Sequence, residues 1–404
     1  MDIIGRLKNQ DEWYKYLLYK TEQGNLREKD IDELRAFIES KEYLQTVELI
    51  QNGGMFSAPK KTLVAKSNNS KKRAVYTFSR EENYVLKLIT FMLRDYDDIF
   101  APNLYSFRKE RGVKRATNDL RRIRNLDEYY VYKVDISDYF NSVDINLLKP
   151  MLEEVFENDK ELCEFLIKLL EQPYVEFGGE LMKESKGIMA GVPTSTFLAN
   201  LYLRELDFYF HNRNIPYMRY SDDIIVFAKT MEELEQYIDV IKTELSRYHL
   251  KINESKEGIF LPKQEWTFLG FSYNCSVIDI SQASFEKLKS KMRRKTRALS
   301  RWADKKGVPR EMAARAFIKR FNSKLYDNPV YSELTWTRWF FPVINTDKTL
   351  KEIDSYMLDC IRYLATGKRN KSKYAFRYED IKKLGYRSLV NEYYKQSDKN
   401  GTSK

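Results

Sequence analysis

Apolar residues along the chain follow two different periods, and the alternation between them predicts its elements. Residues 1–50 read as helices with charged faces. Residues 51–73 hold Gly53, Gly54, Pro59 and a Ser/Asn/Lys stretch, which predicts loop and hairpin. Val85, Leu86, Leu88, Ile89 and Met92 fall at helical spacing. Residues 130–136, Tyr-Val-Tyr-Lys-Val-Asp-Ile, form a β-type run. Helices are predicted over 147–170 and, long and buried, over 194–210. Residues 217–228 read as strand, tight turn and strand. An amphipathic helix over 231–248 precedes a strand near Leu250 and a short strand pair over 265–273. Beyond 280 the period is helical throughout, with Phe285, Leu288, Met292 and Leu299 on one face. Gly307 and Pro309 stop one helix and start the next. Residues 368–395 suggest a short folded helical piece. No internal repeat is visible. Strands alternating with helices, then helices alone, predict an α+β core with a helical appendage.

Composition adds a size and a partner class. A chain of 404 residues suits two or three packed subdomains, and 43% hydrophobic residues can bury a large core. Lys plus Arg total 70 against 59 acids, a net charge of +11, which fits a phosphate-rich partner. Residues 285–320 hold fourteen Lys or Arg against three acids. Three scattered cysteines and two histidines support neither a disulfide framework, a zinc site nor a Ser-His-Asp triad. Reduced thiols in a cytoplasmic protein are the default reading. The N-terminus has no signal-peptide core, and no run reaches the roughly 20 apolar residues that span a membrane.

The candidate chemistry lies in three places. Tyr220-Ser221-Asp222-Asp223 sits between Met218 and the apolar run 224–227. Adjacent carboxylates on a hairpin turn repel each other unless a cation is present, and hard oxygens suit Mg²⁺. A plain acidic turn would give the same tetrapeptide. Asp135 closes a second apolar strand, where an unpaired carboxylate is costly; a strand-end Asp is the ordinary alternative. Together, Asp135, Asp222 and Asp223 match a two-metal phosphoryl-transfer site, which takes carboxylates from separate strands. Phe140, five residues on, would pack under a nucleotide sugar and exclude a 2′-hydroxyl. Ordinary core is the other reading, and Tyr139 beside it shows how little one aromatic proves.

Taken in order, these blocks resemble the reverse transcriptases of the bacterial group: group II intron, retron and defence-associated enzymes. Residues 135–144, Asp-Ile-Ser-Asp-Tyr-Phe-Asn-Ser-Val-Asp, resemble the first palm block. Residues 187–195, Gly-Ile-Met-Ala-Gly-Val-Pro-Thr-Ser, with 198–203, resemble the block that holds the template and the incoming base pair. Tyr220–Asp223 is similar to the metal-binding block, and 250–253 with Lys256 to the next. Phe268-Leu269-Gly270-Phe271 resembles the hairpin that grips the primer. Lys71-Lys72-Arg73 and Ser106-Phe107-Arg108 resemble fingers motifs that hold the triphosphate. The likeness runs from about 60 to 275. It implies a right-hand polymerase with fingers at 1–130, an antiparallel-sheet palm at 131–275 carrying a fingers insertion near 147–186, and a helical thumb with a basic tail at 276–404. It implies metal contacts at Asp135, Ile136, Asp222 and Asp223, with two Mg²⁺ ions or Mn²⁺ in their place. Nucleotide contacts fall at Lys71, Arg73, Arg108, Phe140, Ala190, Gly191 and Lys256, and primer or template contacts at Tyr220, Leu269, Gly270, Arg293, Arg294 and Arg297. The chain departs from the pattern at Ala74, where the family usually has Pro, at Asn141, where it has Asp, and at Ala190, where it has Gln.

The expected activity is RNA-directed DNA synthesis from dNTPs, giving a DNA product. An RNA-dependent RNA polymerase shares the metal chemistry, but Phe140 argues against it. A nucleic-acid-binding protein with a dead site is opposed by the intact aspartates. A maturase-like splicing factor lacks support from any zinc-finger or endonuclease segment. The short chain points to a compact retron-like or defence-associated enzyme working on a structured non-coding RNA. The basic segment after 280 would grip a primer–template duplex by its backbone, or be a solvated amphipathic helix. Template, primer and oligomeric state are not legible in the sequence.

Overall fold

The computed structural model describes residues 2–23, 26–65, 72–326 and 335–401. The chain divides into two compact units, Met1–Lys263 and Gln264–Lys404. The expected palm boundary at 275/276 lies further along, so the hairpin around Leu269 and Gly270 belongs to the second unit.

The strand expected at 130–136 forms as β3. Among the described residues of the first unit there are eight strands: β1 (Lys60–Ala65), β2 (Lys72–Thr77), β3 (Tyr130–Asp135), β4 (Tyr174–Phe177), β5 (Glu180–Lys183), β6 (Tyr217–Tyr220), β7 (Asp223–Ala228) and β8 (Gly258–Phe260). They make two sheets, ordered β2-β1-β4-β5 and β6-β7-β3-β8. The second is antiparallel throughout. Its central strand β7 buries Ile224, Ile225, Val226 and Phe227 completely, which accounts for the unbroken apolar run there. The amphipathic helix Met231–Arg247 packs against β7 and β3. It starts with a reciprocal capping box between Thr230 and Glu233. A second box, Ser79 with Glu82, starts the helix Arg80–Met92.

Two expected helices are each two. Residues 147–170 divide into Ile145–Val155 and Lys160–Glu171. The helix expected over 194–210 breaks at Leu203, whose φ of −113° and ψ of 18° leave the helical region between Ser195–Tyr202 and Arg204–Asn212. The strand expected near Leu250 is only a single bridge from Ile252 to Ile136. The β4–β5 hairpin and the three-residue β8 were not anticipated.

In the second unit, β9 (Trp266–Phe268), β10 (Phe271–Asn274) and β11 (Val277–Ile280) form a sheet ordered β11-β10-β9. Helices follow at Gln282–Lys306, Arg310–Leu325, Lys348–Thr366, Tyr378–Lys383 and Leu389–Gly401. Gly307 ends the first of these in the left-handed region, at φ 61°. The buried Asp354 carboxylate anchors the last helix. It accepts from the Tyr386 hydroxyl (2.8 Å), the Ser388 hydroxyl (2.6 Å) and the backbone N–H of Leu389 (2.9 Å) and Val390 (3.1 Å). Among the described residues no helix is long and apolar enough to cross a membrane.

Candidate active site

Hairpin register brings the three aspartates to one end of the antiparallel sheet. β6 pairs Tyr220 with Asp223, and β3 pairs Asp135 with the same Asp223. Ser221 takes a φ of 60°, so the turn is tight and Asp222 stands at its tip. The Ile136 N–H donates to the Asp222 carbonyl at 2.9 Å, tying the end of β3 to the turn.

Their electrostatics are unfavourable as they stand. Burial, then the charge of Asp135, pushes the Asp222 carboxyl above the usual carboxylate range; Lys256 and Arg73 oppose this. Burial pushes Asp223 up to about 6, with Lys133 opposing and Asp222 and Asp135 adding to the rise. Asp135 is held from the other side. The Lys256 ammonium donates to it at 2.5 Å and the Asn253 amide at 3.1 Å. Burial alone would lower the Lys256 ammonium, but its bond to Asp135 and the three nearby carboxylates raise it.

Among the described residues no group of three or more His, Cys, Asp and Glu side chains is already drawn together as a metal site. The donor set nonetheless fits a hard divalent ion. Asp135, Asp222 and Asp223, with the backbone of Ile136, would supply oxygens, and the raised carboxyls lack the opposite charge such an ion carries.

Beneath the turn lies a buried network that sequence reasoning missed. Arg219 and Asp207 are fully buried. The Arg219 guanidinium donates to Asp207 through Nε at 2.8 Å and Nη2 at 2.5 Å, to the Asn200 carbonyl at 3.1 Å and to the Ser221 carbonyl at 3.3 Å. The Tyr217 hydroxyl adds a bond to Asp207 at 3.0 Å. Burial would lower the guanidinium, but the charge of Asp207 and the bonds to it hold it well above the arginine range. The Ser106 hydroxyl accepts from the Ser221 N–H at 2.8 Å, so both backbone groups of Ser221 are fixed. Ser106 in turn bonds Asn200. The only signal in the sequence was an Arg inside an otherwise apolar strand, Tyr-Met-Arg-Tyr.

The expected nucleotide contacts gather in part. The Arg73 guanidinium lies 5.8 Å from the centre of the buried Phe140 ring, and its charge reaches Asp222. Ala190 donates its N–H to Asn141 Oδ1 at 3.2 Å and accepts from the Tyr76 N–H at 2.8 Å, fastening its loop to β2. Gly191 stands at φ 102°, and a Cβ there would lie 2.5 Å from Val75 Cγ1, so only glycine fits. Lys71 lies outside the described residues. Arg108 is corrected. Its side chain is buried, paired with Asp97 at 2.9 Å, and donates to the carbonyls of Ala101 and Asp97 at 2.6 and 2.8 Å. Those partners occupy the guanidinium, which braces the loop 97–108 and is not free to hold a triphosphate.

In the second unit, Leu269 (φ 53°) and Gly270 (φ 88°) form the turn between β9 and β10. The three expected arginines do not share a face. Arg294 adjoins Lys291 and Lys324, whereas Arg293 and Arg297 line a separate concavity beside the helix Lys348–Thr366.

Residues 59–273, more than half of the 404-residue chain, match the family model described as reverse transcriptase (RNA-dependent DNA polymerase). The chain is 22% identical over 235 residues to the Retron Ec86 reverse transcriptase of Escherichia coli, covering 57% of this chain and 68% of that protein. It is 23% identical over 221 residues to the group II intron-encoded protein LtrA of Lactococcus lactis subsp. cremoris, 54% of this chain but 36% of that one. The structure of telomerase from Candida albicans in complex with a TWJ fragment of telomeric RNA aligns over 83% of this chain and 65% of that chain, at 14% identity and a TM-score of 0.47.

Two outcomes follow from this geometry. The Asp223 carboxyl is pushed up to about 6, so a divalent ion taken up there would compete with a proton below that pH. Mn²⁺ affinity, measured calorimetrically, is therefore expected to be level above that pH and to fall as pH drops through it, with proton release on binding; pH-independent affinity between 5 and 7 would refute the linkage. For the buried pair, Asp207→Asn leaves a charge uncompensated and is expected to lower stability by about 3–5 kcal/mol. The double variant Arg219→Met/Asp207→Leu should recover stability in a melting experiment while leaving nucleotide incorporation impaired, because nothing then holds the Ser221 carbonyl. Recovery of both together would make the pair merely structural.

Proposed function

The chain belongs to the reverse transcriptase (RNA-dependent DNA polymerase) family, and we propose that it makes complementary DNA on an RNA template by two-metal nucleotidyl transfer. The observation that carries this reading is the convergence of Asp135, Asp222 and Asp223 at one sheet end, with Lys256 on Asp135 and Arg73 over Phe140. Asp135 and Asp222, with Asp223 and the Ile136 carbonyl, would hold Mg²⁺, or Mn²⁺ in its place. Bound there, divalent ions activate the primer 3′-hydroxyl and neutralise the triphosphate and departing pyrophosphate. Lys256 orients Asp135 and brings positive charge to the same end. Arg73 meets the triphosphate, and Phe140 closes the space a 2′-hydroxyl would need. Ala190 and Gly191 carry the backbone past the base pair, with Tyr220 at the primer end.

In this reading residues 1–130 act as fingers, 131–275 as palm and 276–404 as thumb. Leu269 and Gly270 form the primer grip. The stripe of Lys287, Lys291 and Arg294 opposite Arg320 and Lys324 takes the duplex backbone. Among the described residues none of these five cations pairs with a carboxylate. Burial and like charge hold Lys291 and Lys324 below the lysine range, and a polyanion relieves that repulsion. The proposed setting is a cytoplasmic enzyme serving one structured non-coding RNA in antiphage defence, and the net charge of +11 supports a polyanionic partner.

Primer extension tests the chemistry. The chain should extend a primer on RNA with dNTPs and Mg²⁺. Asp222→Ala should lose roughly 10³-fold or more, several kcal/mol of barrier, and Phe140→Ala should begin to admit ribonucleotides. Wild-type rates from Asp222→Ala, or a preference of the unaltered chain for ribonucleotides, would end the assignment. Sequencing the RNA that co-purifies from the native host tests the partner: one abundant, locally encoded species is expected, and a transcriptome-like mixture rules it out.

A further inference from the structure

The helix Gln282–Lys306 carries basic side chains along two seams. At about 100° per residue, Lys287, Lys291 and Arg294 form one stripe, facing the helix Arg310–Leu325. Arg293 and Arg297 lie about 100° round the axis from it, facing the helix Lys348–Thr366. One rigid duplex accounts for the first stripe and leaves the second unexplained.

The second seam is concave. A cavity of about 380 Å³ is lined by Arg293, Arg297, Lys368, Arg369 and Lys373, with Asp359 as its one carboxylate. Some of this charge is already engaged. Lys373 pairs with Asp359 at 2.9 Å, Arg293 bonds the Tyr356 hydroxyl, and Arg369 lies 4.9 Å from the centre of the Tyr363 ring. Among the described residues Arg297 and Lys368 have no carboxylate partner. Next to Lys373 in the chain, Tyr374 is 54% exposed, with the Arg362 guanidinium 5.0 Å from its ring centre. The Lys373 ammonium lies 5.1 Å from the same ring centre, so an excess of cations in the cavity borders an exposed aromatic ring beside it. Its volume falls in the range of sites that enclose a small ligand, too confined for a double helix and larger than a bare phosphate needs. Phosphate-seeking cations beside a ring on which a base can stack are the means by which unpaired nucleic acid is held. Sequence-specific and structure-specific RNA recognition uses unpaired loops in this way.

We propose that this cavity binds an unpaired stretch of RNA, with a phosphate between Arg297 and Lys368 and a base against Tyr374, separately from the duplex. The proposal deepens the reading of the chain as a polymerase working on RNA and rests on it only for the choice of RNA over DNA.

The test uses the full chain and labelled oligonucleotides: an unstructured RNA, the same sequence as DNA, and a preformed RNA–DNA duplex. Lys368→Glu/Arg369→Glu changes two exposed side chains. It should weaken binding of the unstructured RNA by roughly 10- to 100-fold at 0.15 M salt and flatten its slope of log K against log salt by about 0.7, the one phosphate contact placed at Lys368. Duplex affinity should stay within twofold. Lys291→Glu/Arg294→Glu should do the reverse, and Lys368→Arg/Arg369→Lys should restore RNA binding. Unchanged RNA affinity in the first variant, a parallel loss of duplex and RNA binding, or a loss confined to DNA would overturn the proposal. A chain that fails to extend primers yet loses the RNA in this variant would refute the polymerase reading while leaving this site standing.

Discussion

The carboxylate end of the first unit depends on one interaction, the ion pair between Arg219 and Asp207. Removing both charges from water costs several kcal/mol each, and a pair of apolar side chains would fill the same space at less cost. The pair is tolerable because its hydrogen bonding is so complete. The guanidinium has partners on Asp207, Asn200 and Ser221, and Asp207 has a further donor in Tyr217. An apolar replacement could not reach the Ser221 carbonyl. The pair makes sense as a means of placing one turn. It holds the residue before Asp222 in a left-handed conformation that a serine rarely adopts unaided.

Above this anchor the charges are arranged in the opposite sense. Arg219 is paired with Asp207 beneath the turn, so its charge is already engaged there. Lys256 is committed to Asp135, and Lys133 reaches Asp223 only at 3.9 Å. Asp222 and Asp223 are left raised, each by burial and by its acidic neighbours. A rigid turn prevents them from relieving the repulsion by moving apart. In the proposed two-metal reading, a divalent ion bound there would relieve that repulsion, so the fold that fixes the turn would also bear on the affinity of the site.

Local patterns were legible in the sequence and long-range ones were not. The hairpin 217–228 and the strand at 130–136 could be read because β-branched and aromatic residues dominate them, interrupted only by Arg219 and Lys133, with their acids at the strand ends. The helix Met231–Arg247 declared itself by its amphipathic period. The break at Leu203 left no mark, because both flanking helices are apolar enough to read as one. Three-residue β8 is too short to show a period. Asp207, Arg219, Asn200 and Ser106 are spread over four segments, and each alone reads as an ordinary polar residue. Arg108 failed for the converse reason: a motif marks a residue type, whereas the partner that occupies its guanidinium, Asp97, is a tertiary fact.

Tertiary contact also gives meaning to the three departures from the family pattern, Ala74, Asn141 and Ala190, which the sequence presents as unrelated. They meet at one point. The Asn141 amide donates toward the Ala74 carbonyl at 3.5 Å, and its oxygen accepts from the Ala190 N–H at 3.2 Å. The same amide also lies 3.3 Å from both oxygens of Asp138. An aspartate at 141 would offer the Ala74 carbonyl an oxygen in place of an N–H and would set a second negative charge against Asp138. A neutral amide satisfies all three neighbours at once. The Asn141 side chain therefore fastens the loop beside Phe140 to the backbone of residue 74 on β2 and of residue 190. Of the three positions only 141 makes this contact through its side chain, and a change at 74 or 190 that keeps the backbone in place leaves it intact.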